Sequence, residues 1–352
     1  MSSAYRKRAT QRGEGAGRSV LLADVARHAG VSTASVSRVL NAPERVSDDV
    51  RRRVERAVAE LGYIPSGAAR ALASRETRAM GALVPTLNNA IFASGINSLQ
   101  RRLGQLGYAL LVASCEYDLD EELQQARTLL AHGVEGLMVV GSAHAPELDR
   151  LVGQRGVPLV RCWTYDPDDE VACIGFDNRA AARGVAEYLL DLGHRRIGMI
   201  AGIRRGNDRA QARVDGVRQA LAARGLELPA KRLVESRYDV AEGRQALRYL
   251  MAAPERPTAV ICGNDVLAQG ALFECQAEGL AVPGSLSITG FDDLKISAQL
   301  VPPLTTVRVP SAEMGERAAD YLVESRRGAP LVNHVEVETS LVVRGTTAPP
   351  PA

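Results

Sequence analysis

The sequence predicts a small all-α head joined to an α/β body of two parallel-sheet lobes. Three observations predict it. Residues 22–61 repeat apolar side chains at helical spacing in short segments separated by glycine, and from Ala79 onward eight short β-rich runs alternate with amphipathic stretches. The charge is also divided: residues 1–78 carry 15 Lys+Arg against 8 Asp+Glu, and the remainder carries 28 against 33. A basic segment on an acidic body is the footprint of a chain that holds a polyanion at one end, although solvated charge alone could give the same count.

The head begins after a basic, Gly-containing stretch, residues 1–19, expected to be a disordered tail. Leu22–Ala29 and Ser32–Leu40 read as two short helices with Gly30–Val31 between them. Ala26 lets the helices approach closely, Gly30 supplies the positive φ of a tight turn, and Ser32 stands as the N-cap of the second helix. A third helix fits Asp48–Leu61, with Ser47 as its cap, Asp48 and Asp49 at the positive end of its dipole, and Gly62 at its stop. Val50, Val54, Ala57, Val58 and Leu61 share one face and can roof the first pair. Outside that core lie Thr33, Ala34, Ser35, Ser37 and Arg38. Short hydroxyl side chains at a helix N-terminus suit phosphate, and an arginine suits the O6 and N7 acceptors of guanine. Solvated surface is the plain alternative for each. The head is placed at residues 20–64.

Residues 65–76, with Pro65 followed by an alanine-rich run, form a connector. Proline is tolerated in a first helical turn and alanine favours helix, but about eight residues is too short for an isolated helix to persist. The segment is therefore expected to be helical only when something holds it.

In the body, residues 77–346, the strands are expected at Met80–Val84, Ala109–Ala113, Gly136–Val140, Pro158–Arg161, Cys173–Phe176, Ile197–Ala201, Ala259–Cys262 and Ser287–Gly290. Helical stretches such as Ile91–Leu106, Leu119–His132, Arg179–Leu192, Arg209–Arg224 and Asp265–Glu278 separate them. Continuous apolar runs with helical crossovers mean parallel sheets covered on both faces, and the strands are too many for one open sheet. The lobes are placed at about 77–177 with 309–337, and 178–308 with 338–346. Ligands of such sheets bind beyond the carboxyl ends of strands. That rule selects Asp177, Asn264 and Asp292, together with Arg213 on the helix after Ile197–Ala201, Phe92 after the first strand and Trp163 after the fourth. Two carboxylates, an amide and a guanidinium with aromatic faces suit a small polyhydroxylated or anionic molecule. The same residues also fit plainer roles: Asp177, Asp292 and Asn264 as turn or cap residues, Arg213 in an ion pair, Phe92 and Trp163 in a core.

The run LADVARHAGVSTASVSRVLN, from Leu22, and its continuation to Ala73 resemble the head and hinge of the lac repressor (LacI/GalR) family. The body runs GFDNRAAARGVAEYLLDLGHRRIGMIAG, NDRAQARVDGV, CGNDVLAQGAL and SITGFDDLKIS resemble its effector-binding part, itself similar to periplasmic sugar-binding proteins. The resemblance covers roughly Leu22 to Arg344. It implies a helix-turn-helix head and a periplasmic-binding-protein-like body. It further implies base contacts by Thr33, Ala34 and Arg38 and phosphate contacts by Ser32, Ser35, Ser37 and Asn41. Hinge helices from two copies would enter the minor groove through Ala69, Leu72 and Ala73, with Leu72 as a wedge between base steps. Phe92, Trp163, Asp177, Arg213, Asn264 and Asp292 would meet the effector. Leu21 stands where the family usually has a capping threonine, which weakens the helix start by about 1 kcal/mol.

The chain is thus expected to be a cytoplasmic homodimeric transcriptional regulator, most simply a repressor, on a near-palindromic operator. A sugar or sugar acid would control it, or alternatively a nucleobase-like corepressor. A periplasmic-type sugar-binding protein would need an export signal and has no use for the head. An enzyme is not indicated: there is no G-x-S-x-G elbow, no Walker A run and no H-x-x-x-H pair, and GEGAG at Gly13–Gly17 has no strand before it. His28, His132, His144, His194 and His334 show no partner at recognisable spacing. Cys115, Cys162, Cys173, Cys262 and Cys275 are scattered and expected to be buried, reduced thiols, so neither a disulfide framework nor a metal is expected, and no cofactor. No apolar run is long enough for a membrane span. Residues 347–352, rich in proline, are expected to fray, and without a leucine-heptad extension a dimer is favoured over a tetramer.

Overall fold

The computed structural model describes residues 20–65, 76–329 and 332–351. The hinge calls Ala69, Leu72 and Ala73 lie outside the described residues, as does the side chain of Asn41. The chain divides into two compact units, residues 1–77 and 78–352.

The first unit holds helices α1 (Leu22–Ala29), α2 (Thr33–Asn41) and α3 (Asp48–Leu61). Val25, Ala26, Ala29, Val36, Val39, Val54 and Ala57 form its core, with Val50, Val58 and Leu61 packed around them. Gly30 ends α1 at φ +65, and the Val31 amide donates back to the Ala26 carbonyl. Ser32 caps α2 by accepting from the Ser35 amide at 3.1 Å. Ser47 occupies the N-cap position of α3 but its side chain makes no cap hydrogen bond, a correction to its expected role. At Leu21 the cap is halved: the side chain has no acceptor, yet the Asp24 carboxylate reaches back to the Leu21 amide at 3.0 Å.

The second unit contains two parallel sheets. The first has the order β11-β5-β4-β3-β1-β2, built from β1 (Ala79–Val84), β2 (Ala109–Ser114), β3 (Leu137–Val140), β4 (Leu159–Cys162), β5 (Ala172–Gly175) and β11 (His334–Glu336). The second has the order β7-β6-β8-β9, from β6 (Ile197–Gly202), β7 (Leu233–Ser236), β8 (Ala259–Cys262) and β9 (Ser287–Thr289). An antiparallel pair, β10 (Thr306–Arg308) with β12 (Ser340–Val342), lies among the segments that pass between the lobes. Helices α4 (Ala90–Gln105) and α11 (Ser311–Arg326) cover one face of the first sheet, and α5 (Leu119–Ala131) and α6 (Pro146–Arg155) the other. On the second sheet α7 (Asn178–Asp191) and α8 (Asp208–Ala222) oppose α9 (Val240–Met251) and α10 (Asp265–Ala277). The central strands β1, β3, β5, β6 and β8 are buried along their whole length, which is why they read as unbroken apolar runs. The helix pair α4 and α11 packs backbone to backbone: a Cβ on Gly315 would lie 2.2 Å from the Gly95 carbonyl oxygen.

The strands β7, β10, β11 and β12 were not among the sequence expectations; their sequences, LVES, TVR, HVE and SLV, hold no more than two apolar residues in a row. All five cysteines are free and buried, and burial pushes the Cys115 thiol up to about 11. Among the described residues no helix is long and apolar enough to cross a membrane.

Two further expectations are corrected. Every histidine has a partner: His28 meets Glu60 at 2.7 Å, His132 the Thr128 carbonyl at 2.8 Å, His144 the Glu122 carboxylate at 2.9 Å, and His334 the Cys173 thiol at 3.2 Å. The expected fray at 347–352 begins too early. β9 leaves an open edge, and Ile288 exchanges both its amide and carbonyl with Thr346, at 2.9 and 2.6 Å. The Ala348 amide then donates to Ser287 Oγ at 3.1 Å, and its carbonyl accepts from His194 at 3.0 Å.

His194 is buried, and because a carbonyl can only accept, its Nε2 carries the proton and Nδ1 takes the Thr258 hydroxyl at 2.9 Å. Burial lowers its pKa, against the opposing pull of the Ala348 carbonyl. The unfolded chain therefore takes up the proton first as pH falls below about 6.5, and stability declines there. The melting temperature of the wild type is expected to be roughly 2–4 °C lower at pH 5.5 than at pH 7.5. In His194→Gln, which keeps one donor and one acceptor, that difference should shrink; an unchanged difference would place the titration elsewhere.

Candidate functional site

In the head, the three-helix core uses Val36 and Val39 of α2 and turns the rest of that helix outward. Ser32, Thr33, Ala34 and Arg38 are exposed, and Ser35 and Ser37 half-buried. The Ser32 and Ser35 hydroxyls lie 2.9 Å apart at the helix start, where amide dipoles favour an anion. Residues 33, 34, 37 and 38 thus share an outward surface of short side chains with one guanidinium. A groove-reading helix needs that surface, and a structural helix has no reason to avoid larger residues there.

In the body, the carboxyl ends of the two sheets face a cleft of about 1040 Å³, whose walls include Thr86, Asn89, Tyr117, Asn207, Tyr238 and Val266. Arg213 is not among the lining residues but lies buried nearby, its charge acting on Tyr117 of the wall. Its Nε donates to Asn178 Oδ1 at 2.9 Å, Nη1 donates to the Gly263 carbonyl at 2.6 Å, and its guanidinium carbon stands 3.7 Å over the Phe291 ring. Asn178 in turn donates to the Trp163 carbonyl at 2.9 Å. The chain Gly263–Arg213–Asn178–Trp163 therefore joins one lobe to the other.

Asp292 is buried, and its charge and that of Arg213 act on one another. Burial raises its carboxyl well above the ordinary range, opposed by Arg213 and reinforced by Asp265. Arg213 is itself lowered by burial and raised by Asp292. A molecule able to accept from the one and donate to the other would relieve both. Asn264 is a cap and more: Oδ1 takes the Leu267 amide at 2.9 Å, while its buried Nδ2 has no partner among the described residues. Phe92 and Trp163 pack edge to face, centroids 5.4 Å apart, in the core of the first lobe, and the buried indole N–H is also unanswered. Six non-glycine residues among those described have positive φ, and five of them, Glu116, Tyr117, Trp163, Asp292 and Asp293, follow the carboxyl ends of β2, β4 and β9. Strain gathered at one place marks a site that the surrounding packing has to enforce.

Asp177 is not brought to this cluster. It is exposed, caps α7 through the Arg179 and Ala180 amides at 2.8 and 3.0 Å, and borders a separate groove beside Val307 and Glu338. The end-of-strand rule chose it, but its side chain is turned to its own helix; the next residue, Asn178, is the one inside. Tyr117 and Tyr238, with centroids 6.1 Å apart across the cleft, were also missed. Tyr238 follows β7, whose sequence LVES ends in two polar residues.

Lobe-to-lobe contact continues at the start of α8. Asp208 Oδ2 accepts the Ser142 amide and hydroxyl, each at 3.0 Å, and Arg209 Nη1 donates to the Val140 carbonyl at 3.0 Å. Burial would raise the Asp208 carboxyl, but Arg209 and the two Ser142 donors hold it below the usual range.

Comparison with known proteins agrees in both units. Residues 21–66 match the bacterial regulatory proteins, lacI family, and residues 186–347 match the periplasmic binding protein-like domain. The HTH-type transcriptional repressor CytR of Escherichia coli (strain K12) is 32% identical over 326 residues, covering 92% of this chain and 95% of that protein. The ribose operon repressor of Haemophilus influenzae is 35% identical over 304 residues, covering 86% and 90%. A crystal structure of the lac repressor dimer bound to operator and the anti-inducer ONPF aligns with a TM-score of 0.82 at 28% identity, over 94% of this chain and 99% of that one.

A buried carboxylate without an ion-pair partner at contact distance is a cost to the fold. Asp292→Asn is expected to raise the melting temperature of the protein, measured without added small molecules, by roughly 2–4 °C. A lower melting temperature would show that the carboxylate stabilises its surroundings.

Proposed function

This chain belongs to the lacI family of bacterial regulatory proteins, a DNA-binding transcriptional repressor that answers to a small-molecule effector, and on that premise we propose how its residues divide the work. Two copies hold their heads on a near-palindromic operator in the cytoplasm. Thr33, Ala34 and Arg38 read base edges in the major groove, and Ser32, Ser35, Ser37 and Asn41 contact phosphates. Ala69, Leu72 and Ala73 meet the minor groove, where Leu72 wedges between base steps. The observation that carries this reading is the exposed, short-chained face of α2 on a head whose core is otherwise filled.

The effector occupies the cleft and is bound by Arg213, Asn264 and Asp292, with Trp163 and Phe92 forming the wall behind them. Asn178 orients Arg213, and Asp177 serves as a helix cap. A hydroxylated molecule fits best, because the site offers unanswered donors at Trp163 and Asn264 beside a buried carboxyl. The relatives include a ribose operon repressor, and we assign this chain a sugar or sugar acid. Binding shifts the population between lobe arrangements, and so changes how the paired heads are held. The protein performs no catalysis in this account.

Fluorescence anisotropy with the protein's own promoter region against a random duplex tests the DNA half. The wild type should prefer the promoter, and Arg38→Ala should lose roughly 10-fold or more of that preference, the worth of one good base contact. Equal affinity for both duplexes in the wild type would end the reading. A thermal-shift series with D-ribose, D-gluconate and adenine tests the other half. A stabilising compound should lose its effect in Asn264→Ala, and stabilisation that survives the substitution would move the ligand elsewhere.

A further inference from the structure

We infer that Asp208 and Arg209 are positioning residues for the effector cleft, a clasp that sets the angle between the lobes and with it the place of Arg213. The inference rests on the cleft being the effector site, but its geometry is independent of DNA. Asp208 receives both polar groups of Ser142 through one oxygen, and its other oxygen meets Arg209 at 2.9 Å. Arg209, 6% exposed, spends the same nitrogen on the Val140 carbonyl. Arg209 is thus withdrawn from water and Asp208, its side chain 21% exposed, partly so, and each has partners on the opposite lobe. Pulling the lobes apart would strip the carboxylate of its two Ser142 donors while Arg209 lost the Val140 carbonyl, so the pair favours one arrangement.

The receiving turn is shaped for this. Gly141 has φ +86, and a Cβ there would stand 1.7 Å from Arg209 Nη1. No side chain fits between the end of β3 and the guanidinium. From behind, His144 fastens the turn with both ring nitrogens, to Glu122 at 2.9 Å and to the Gly141 carbonyl at 2.8 Å. A second touch lies at the mouth, where a Cβ on Gly206 would come 2.9 Å from the Tyr117 carbonyl.

The clasp and the effector contact share one helix. Arg209 and Arg213 are four residues apart on α8, on one face and about 6 Å along the axis. The angle imposed at Asp208 and Arg209 is therefore carried rigidly to Arg213. From there the Asn178 bond passes it to the Trp163 backbone, and Trp163 is the chain's single tryptophan. Its emission reports on the wall that Arg213 faces.

The test uses the full-length protein alone, comparing wild type with Asp208→Ala, Ser142→Ala and Ser142→Thr. Hydrogen exchange of the Ser142 amide is expected to be roughly tenfold faster in Asp208→Ala, with a larger radius of gyration by X-ray scattering and a shifted tryptophan emission. Ser142→Ala should move in the same direction by less, since it keeps the amide bond, and Ser142→Thr should restore wild-type values. A merely structural role would lower the melting temperature while leaving scattering and emission unchanged, and that result overturns the proposal. So does a Ser142 amide as protected in Asp208→Ala as in the wild type. If Asp208→Ala does not fold, Ser142→Ala against its threonine rescue decides the same question. Because neither DNA nor effector enters, failure of the operator or ligand experiments cannot be mistaken for failure of the clasp.

Discussion

A guanidinium can be taken out of water only if its N–H groups are answered, and Arg213 is buried where the two lobes meet. Much of the second unit can be understood as the means of answering it. The Gly263 carbonyl comes from the end of β8, the Asn178 amide from the start of α7, and the aromatic face from Phe291 after β9. Each is delivered by the carboxyl end of a parallel strand, where the backbone leaves the sheet and its groups become available. Asn178 then spends its amide on the Trp163 carbonyl, so that the satisfaction of one buried charge depends on both lobes at once.

The groups left unsatisfied are as informative as those that are paired. Most buried polar atoms in a protein have partners, and the exceptions need a reason. Here the Asn264 amide and the Trp163 indole nitrogen stand unanswered near a buried carboxyl, Asp292, and near residues in strained backbone conformations. Packing alone would have replaced such groups by apolar ones at a gain in stability. Their retention is intelligible if a polar molecule completes the set.

The head works on the opposite logic. Its core is small, seven buried aliphatic residues, and it leaves the outward face of α2 bare rather than burying it. Rigidity comes from local devices: the Ser32 cap, the left-handed Gly30 and Gly62, and the Asp24 reach to the Leu21 amide. A surface that must meet a groove needs fixed direction more than it needs partners of its own, and a short helix held at both ends supplies that.

The sequence alone determined the three head helices, their turns, eight of the strands and the outward-facing surface of α2. All of these follow from patterns within about ten residues, where apolar period and cap chemistry act directly. It also determined that Asn264 and Asp292 would stand just beyond strand ends and Arg213 on the helix that follows another strand, because parallel sheets leave few other places for a ligand. What only the tertiary structure decided are the pairings across long stretches of chain. Ser142 meets Asp208 from 66 residues away, Thr346 closes the edge at Ile288 from 58, and Asn178 rather than Asp177 turns inward to meet Arg213 from 35. No local pattern encodes them, since a hydroxyl, an amide or a carboxylate reads the same in a sequence whether it ends in water, in its own helix cap or against the opposite lobe.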